Sequence, residues 1–267
     1  MTKKILLTGS TDGIGLETAR MLVEQGHVVL LHGRSPAKLE SLKTELAAAG
    51  ETAETYVADL SRMGDVEAMA EAVADKHAEL DVLINNAGVF ATHNVAAEDG
   101  LDIRFAVNAI APYLLTKRLL PLLGKQARVV NLSSAAQAPL TPKELTAPSG
   151  QSHGMAYAKS KLALTMWNNH MARTLGEDGP AMIALNPKSM LGSKMVKEAY
   201  GVSGADLRIG ADILCRAALS DEFSDASGKY FDNDIGRFSS PHPDALDPEK
   251  CEQVALSIEN FLTNRKA

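Results

Sequence analysis

Short apolar runs alternate with longer stretches in which apolar residues recur every three or four positions, and this alternation continues through nearly the whole chain. The runs at 5–8, 27–31, 53–58, 81–85, 128–132, 181–185 and 229–231 have strand length. They are rich in Val, Ile and Leu, the composition of strands covered on both faces. Between them, helical periodicity predicts helices from Ile14 to Gly26, over 36–49, 65–78 and 99–123, after the loop that ends at His153, and over 205–219. Gly26 and Gly50 stand where a helix stop is expected. An amphipathic segment over 249–262 closes the chain. Strands that alternate with helices give an α/β domain with a mostly parallel sheet and helices on both faces. With no linker, repeat or low-complexity tract in the way, 1–267 reads as one doubly wound domain.

Composition narrows the function. The chain of 267 residues is 45% hydrophobic and 22% charged, within the soluble globular range. A net charge of -6 argues against nucleic acid or an anionic membrane as partner, and 4% aromatics is too few for a base-stacking platform. Lys3 and Lys4 are followed only by Ile5, Leu6 and Leu7, which reads as a strand rather than a signal peptide, and no run reaches the length of a membrane span. Two cysteines, Cys215 and Cys251, form neither a disulfide framework nor part of a cluster with metal-ligand spacing, so no metal is expected. A cytosolic protein is the expectation.

Candidate chemistry gathers at the carboxyl ends of the strands, where open α/β sheets bind ligands. Gly9, Ser10, Thr11, Asp12, Gly13, Ile14 and Gly15 link the first strand to the first helix. Glycines there let the backbone turn tightly and approach a pyrophosphate at the helix N-terminus, although the spacing G-x-x-x-G-x-G is not the commoner G-x-G-x-x-G. Asp59-Leu60, Asn85-Asn86-Ala87-Gly88, Ser133-Ser134 and Asn186-Pro187 end other strands. Taken singly, Asn86 also suits a sheet brace, Asp59 a helix cap, and Ser134 a strand-end cap. Tyr157 and Lys161 stand four apart and share one helix face. A tyrosine with its ordinary pKa of about 10 is a poor acid or base at neutral pH, and a nearby ammonium favours its phenolate.

These motifs, in this order and on these elements, resemble the short-chain dehydrogenase/reductase family over nearly the whole chain. Val129-Val130-Asn131-Leu132-Ser133-Ser134 and Gly228-Lys229-Tyr230-Phe231 resemble its retinol-dehydrogenase and WW-domain-oxidoreductase-like branch. The resemblance implies a Rossmann fold and hydride transfer between nicotinamide and a carbonyl or alcohol. Tyr157 would be the general acid/base. Lys161 would lower its pKa and bind the nicotinamide ribose, Ser134 would polarise the carbonyl, and Asn108 would hold a water linking Lys161 to solvent. Gly9, Ser10, Thr11, Gly13, Ile14, Gly15, Asp59, Leu60, Asn86, Ala87, Gly88 and Pro187 would line the cofactor site with Tyr157 and Lys161.

Two departures from the family pattern stand out. Lys188 occupies the position of a glycine that usually follows Pro187, although lysine does not adopt φ > 0 cheaply. Gly192, with Ser193 beside it, stands where a threonine often caps the same loop. The loop before Tyr157 is also long, and with 188–204 and the last helix it is expected to wall the substrate pocket.

Cofactor choice is read from the end of the second strand. An NAD enzyme places an acid there, whereas this chain has His32-Gly33-Arg34-Ser35 and no carboxylate before Glu40. Arg34 and Ser35, with Ser10 or Thr11, suit the 2′-phosphate of NADP(H), so NADP(H) is expected over NAD(H). A homodimer through the helices bearing Asn108 and Tyr157 is implied by the family, with Leu114, Leu115, Leu119, Leu164 and Trp167 offered as outer apolar residues. Two other functions share parts of the pattern. A nucleotide-sugar epimerase or dehydratase usually carries a larger C-terminal substrate domain, and a non-catalytic nucleotide sensor generally lacks the tyrosine or the lysine.

Overall fold

The computed structural model describes residues 1–47, 53–148 and 150–265. Eight strands form one sheet: β1 (Lys4–Leu7), β2 (Val28–Gly33), β3 (Ala53–Val57), β4 (Val82–Asn85), β5 (Arg128–Leu132), β6 (Ala181–Asn186), β7 (Tyr230–Asp232) and β8 (Arg237–Ser239). Their order is β3-β2-β1-β4-β5-β6-β7-β8, parallel throughout except for β8, which runs antiparallel to β7. The order reverses between β1 and β4. This leaves a crevice beyond their carboxyl ends, between loops that turn to opposite faces of the sheet.

The helices are α1 (Gly13–Glu24), α2 (Pro36–Ala47), α3 (Met63–Lys76), α4 (Ile103–Phe105), α5 (Ala111–Leu119), α6 (His153–Leu175), α7 (Lys194–Tyr200), α8 (Leu207–Leu219) and α9 (Pro248–Asn264). The period-two pleat decides which layer each strand residue joins. Ile5 and Leu7 pack with apolar residues of α1, α2 and α8, whereas Leu6 packs with those of α3, α5, α6 and α9. Capping residues set the starts of helices: the Asp12 carboxylate accepts from Gly13 N–H at 2.8 Å, and Ser152 caps α6.

Three elements differ from the sequence expectation. The helix expected over 99–123 begins only at Ile103, behind the cap Asp102, and widens into a π-helical turn at Ala106–Ile110 before α5 continues. The widened turn is wholly buried, with Asn108 at its middle. The short helix α7 forms inside the segment expected as loop, capped by Ser193. Strand β8 had no periodic signal because it is three residues long at the sheet edge. The expected end of the second helix, at Gly50, lies outside the described residues.

The face offered to a dimer partner is already covered. Leu114, Leu115, Leu119, Leu164 and Trp167 are all buried within the chain. Helix α9 contributes Cys251, Val254, Ala255 and Ile258 to the same cluster. Glu259 of α9 bonds to the Tyr113 hydroxyl and to Lys117, both on α5. The Ser257 hydroxyl donates to the Pro142 carbonyl at 2.9 Å, joining α9 to the loop before α6. The apolar residues expected at a homodimer surface are thus buried against the chain's own C-terminal helix, and the homodimer itself is not shown. Light scattering at micromolar concentration should give the mass of a single chain. A stable double mass would show that another surface associates.

His32 ties three strand ends together. Its Nδ1 accepts from the Gly9 N–H at 3.1 Å, so its Nε2–H is the donor toward the Ala58 carbonyl, also at 3.1 Å. Burial disfavours the imidazolium and lowers the pKa to about 4, against the pull of the Ala58 carbonyl. Above roughly pH 6.5 the ring is neutral folded and unfolded and contributes no pH dependence. Between that value and the folded pKa, the unfolded chain binds a proton that the folded chain does not, so this contribution falls on acidification. The slope is at most about 1.4 kcal/mol per pH unit. In urea titrations over this range, His32→Gln, which keeps one acceptor and one donor, should lose less stability than wild type. Parallel slopes would remove His32 from the account.

Candidate active site

A cleft of about 690 Å³ opens beyond the carboxyl ends of β1 to β6. Its lining includes Gly9, Thr11, Gly13, Ile14, Gly15, Arg34, Asp59, Leu60, Asn86, Ala87, Gly88, Ser134, Tyr157, Lys161 and Pro187. A second hollow of about 530 Å³ lies at the exposed edge of β3, between Lys43 and Lys76, and contains none of these groups.

At one end of the cleft the backbone is packed as closely as glycine permits. A Cβ on Gly15 would fall 2.0 Å from the Gly9 carbonyl oxygen, and one on Gly9 would fall 2.9 Å from Ala87 Cα. Gly9 also takes φ +67°, open to glycine at little cost. Asn86 is the brace between these loops: its Nδ2 donates to the carbonyls of Thr8 at 2.8 Å and Gly9 at 3.1 Å. Asp59 closes a local turn, accepting from the Ser61 N–H at 2.9 Å and its hydroxyl at 2.8 Å.

Of the hydroxyls expected at a 2′-phosphate, Ser10 is turned inward, while Ser35 serves only as an acceptor for a backbone N–H. Ser10 has no exposure, and its hydroxyl donates to the His32 carbonyl at 3.0 Å. Ser35 accepts from Lys38 N–H at 3.3 Å at the start of α2 and is not part of the cleft lining. Arg34 is exposed at the rim, with Thr11 nearby: a Cβ on Gly33 would meet the Thr11 side chain at 2.8 Å. Lys38, one helical turn beyond Arg34, adds a second cation at the rim and sits 3.6 Å from the Asp12 carboxylate.

At the other end, Tyr157 and Lys161 share the face of α6 that looks into the cleft. The Lys161 Nζ lies 5.6 Å from the Tyr157 ring centroid and donates to the Leu132 carbonyl at 2.6 Å. Lys161 is only 3% exposed, and burial lowers its pKa to about 8. Phe90 meets the Tyr157 ring edge-on, with centroids 5.0 Å apart. Ser134, half-buried at the end of β5, accepts from Ala136 N–H at 3.1 Å, while its carbonyl accepts from the Tyr230 hydroxyl at 3.0 Å.

Asn108 is placed behind the cleft rather than in its wall. Its amide donates to the Val89 carbonyl and to Ser160 Oγ, both at 2.9 Å, and its Oδ1 accepts from Val89 N–H at 2.8 Å. It thereby ties the loop after β4 to α6. A Cβ on Gly88 would lie 3.4 Å from Asn108 Oδ1 and 3.6 Å from Lys161 Nζ, so the absence of a side chain there leaves room between them.

The loop after β6 carries both departures from the family pattern. Pro187 lines the cleft, and Lys188 adopts φ +114° and Met190 φ +57°, conformations that crowd a Cβ. Ser193 caps α7, and a Cβ on Gly13 would lie 3.8 Å from Ser193 Cβ, so this end of the loop reaches the glycine turn.

His32, Lys38, Phe90 and Tyr230 take part in this arrangement without having been singled out for the site from sequence. Lys38 was within reach of the Arg34 reasoning, as the cation one helical turn on. His32, Phe90 and Tyr230 had no local signal, because their partners Ala58, Tyr157 and Ser134 are distant in sequence.

The comparisons with known proteins agree with this geometry. The model of the short chain dehydrogenase family matches residues 3–201. Retinol dehydrogenase 12 of Bos taurus is 32% identical, with 90% of this chain and 80% of the relative covered. Retinol dehydrogenase 13 of Homo sapiens is 30% identical, with 94% and 82% covered. The crystal structure of the angucycline C-6 ketoreductase LanV with bound NADP is 26% identical and superposes with a TM-score of 0.70 over 86% of this chain and 93% of that one. The glycine cradle, the Tyr157 and Lys161 pair and these matches carry one conclusion: the chain is a short-chain dehydrogenase/reductase, similar to the retinol dehydrogenase branch, and an NAD(P)-dependent oxidoreductase.

Proposed function

We propose that this enzyme is an NADP(H)-preferring oxidoreductase that interconverts a carbonyl and an alcohol, with Tyr157 as general acid/base. The observation that carries the reading is the placement of Tyr157 and the buried Lys161 on one helix face, opening on a cleft whose other end is built on Gly9 and Gly15, where no side chain would fit. The cradle fits a dinucleotide: Gly9 and Gly15 let the turn pack closely against Asn86 and Ala87, so that the N-terminus of α1, which favours an anion, can be approached by a pyrophosphate. Ala87, Gly88 and Pro187 would flank the nicotinamide, and Lys161 would reach its ribose. When bound, the cofactor supplies or accepts the hydride.

The protein's share is proton transfer and charge stabilisation. In the reductive direction Tyr157 donates its hydroxyl proton to the carbonyl oxygen as negative charge develops there, and Ser134 adds a hydrogen bond to the same oxygen. A phenolate is left on Tyr157. The Lys161 ammonium, mostly protonated at neutral pH with its pKa at about 8, stabilises that phenolate. In a largely desolvated site this attraction is much stronger than in water. The retention of Tyr157, Lys161 and Ser134 together favours catalysis over a nucleotide sensor. The apolar wall of Val89, Phe90, Val107, Leu191 and Val196 suits a largely apolar substrate. Cysteine usage and composition support a cytosolic location; among the described residues no helix is long and apolar enough to cross a membrane.

Cofactor preference rests on Arg34 and Lys38 at the rim and on the absence of an acid at the end of β2. The NADP bound to LanV supports the same preference. A charge-assisted hydrogen bond is worth roughly 1.5–3 kcal/mol, which corresponds to about ten- to a hundredfold in affinity. Titrating NADPH and NADH into wild type and Arg34→Ala should show NADPH favoured by that factor, with most of the advantage gone in the variant. Equal affinities in wild type would sink the assignment.

Turnover can be followed as loss of reduced-nicotinamide absorbance with a panel of aldehydes and ketones. Tyr157→Phe should bind NADPH normally and lose about 10²–10⁴-fold in kcat. Lys161→Met should weaken cofactor binding and rate together. A Tyr157→Phe enzyme that turns over at near wild-type rate would exclude the assigned acid.

A further inference from the structure

The strained loop after β6 is gripped from outside the cleft by the turn that joins β7 to β8. The Asn186 side chain donates to Asp232 Oδ1 at 2.9 Å and to Asp234 Oδ2 at 2.8 Å. The Asn186 carbonyl accepts from Asn233 N–H at 3.1 Å, and the Pro187 carbonyl accepts from the Asn233 amide at 3.0 Å. On the far side of Lys188, Ser189 donates its N–H to Asp234 Oδ1 at 2.9 Å and its hydroxyl to Asp234 Oδ2 at 2.6 Å. Asp234 N–H in turn bonds back to Asp232 Oδ1 at 3.0 Å, which closes the turn. The bonds thus hold residues 186, 187 and 189. Lys188, between them, is the residue at φ +114°.

A conformation this unfavourable for a residue with a Cβ persists only where its surroundings over-determine it. Glycine at this position would take it at little cost; lysine has to be held there. The loop matters for the site because Pro187, Lys188, Ser189 and Met190 form a continuous stretch of the cleft wall at the carboxyl end of β6. Released, Lys188 would relax to negative φ, and the peptide planes on either side of it would rotate the wall with them.

We propose that the β7–β8 turn is a clamp, with Asp234 as its principal positioning residue, and that it sets the cleft wall by holding Lys188 in its strained conformation. Asp234 is suited to the task because each carboxylate oxygen accepts from Ser189 and the second also from Asn186, on both sides of the strained residue. Though burial opposes it, these bonds and the nearby Lys188 charge hold the Asp234 carboxyl below its ordinary range, so the acceptor stays ionised at neutral pH. The effect on catalysis rests on the oxidoreductase reading above, whereas the mechanical coupling between the turn and Lys188 does not.

The test is a double-mutant cycle of Asp234→Ala and Lys188→Gly, read by urea denaturation, NADPH affinity and kcat/KM. Lys188→Gly alone should raise the denaturation midpoint, since it removes the strain. Asp234→Ala alone should lower kcat/KM by roughly tenfold, mostly through KM, because the wall is displaced while Tyr157 and Lys161 are untouched. With Lys188→Gly present, the Asp234→Ala loss should shrink to about threefold or less, because the loop then needs no clamp. Asp234→Asn, which keeps the shape but turns one of the two acceptor oxygens into a donor facing donors, should show a loss in the same direction and replaces Asp234→Ala in the cycle if the alanine variant does not fold. Equal losses with and without Lys188→Gly, in all three readouts, would overturn the proposal. If wild type turns over no carbonyl, the oxidoreductase reading fails, and non-additivity in denaturation and NADPH affinity still decides the clamp.

Discussion

A protonated amine buried in the protein interior is the costly element around which this site is arranged. Lys161 is almost fully buried, and the Leu132 carbonyl is its hydrogen-bond acceptor. An ammonium taken out of water is disfavoured, which is why its pKa falls to about 8. It survives only if α6 is held firmly against the end of β5. Side-chain amides provide that hold: Asn85 donates to Asn131, Asn131 to Asn168 and Asn168 to Asn169, crossing from β4 and β5 into α6. Asn169 then donates to the Ala245 carbonyl just ahead of α9. A buried network of this kind specifies one arrangement, because any slip leaves amides unpaired in a low-dielectric interior.

The same economy governs the nucleotide end. Close approach of β1, β4 and α1 requires glycines at Gly9 and Gly15, and Asn86 and His32 then satisfy the backbone groups that the approach exposes. Asn108 plays the matching part behind Tyr157 and Lys161, where the π-helical turn lets its amide reach both Val89 and Ser160. π-helical turns of this kind often mark functional sites, because one extra residue per turn redirects a side chain. In this chain the redirected side chain joins the loop after β4 to the helix that bears Tyr157 and Lys161.

Helix α9, packed outside α5 and α6, and the β7–β8 turn, at the edge of the sheet, each constrain the site from a distance. The first buries the α5–α6 face that the apolar pattern alone leaves available to a partner. The second holds a loop whose sequence, with lysine in place of glycine, works against its own conformation. Both act through side chains more than forty residues away from what they contact, as the bonds from Glu259 to Tyr113 and from Asp234 to Ser189 illustrate.

Much of the fold was legible in the chain itself. Strand and helix periodicities located seven of the eight strands and most helices, because buried parallel strands are nearly continuous apolar runs and helices mark their ends with caps and glycines. The glycine turn, Tyr157 and Lys161 were legible because their spacing is local: four residues put two side chains on one helix face whatever the tertiary structure. Ser10 shows the limit. Its position in the motif suggested a phosphate contact, and only the packing of β1 against β2 turned its hydroxyl inward to His32. The burial of Lys161, the bracing role of Asn108, the tautomer of His32 and the grip of Asp234 on the loop at Lys188 depend on groups brought together across the sheet. A local pattern encodes which residues lie on a face, while the tertiary structure alone decides what that face meets, since hydrogen-bond partners and desolvation are properties of the assembled chain.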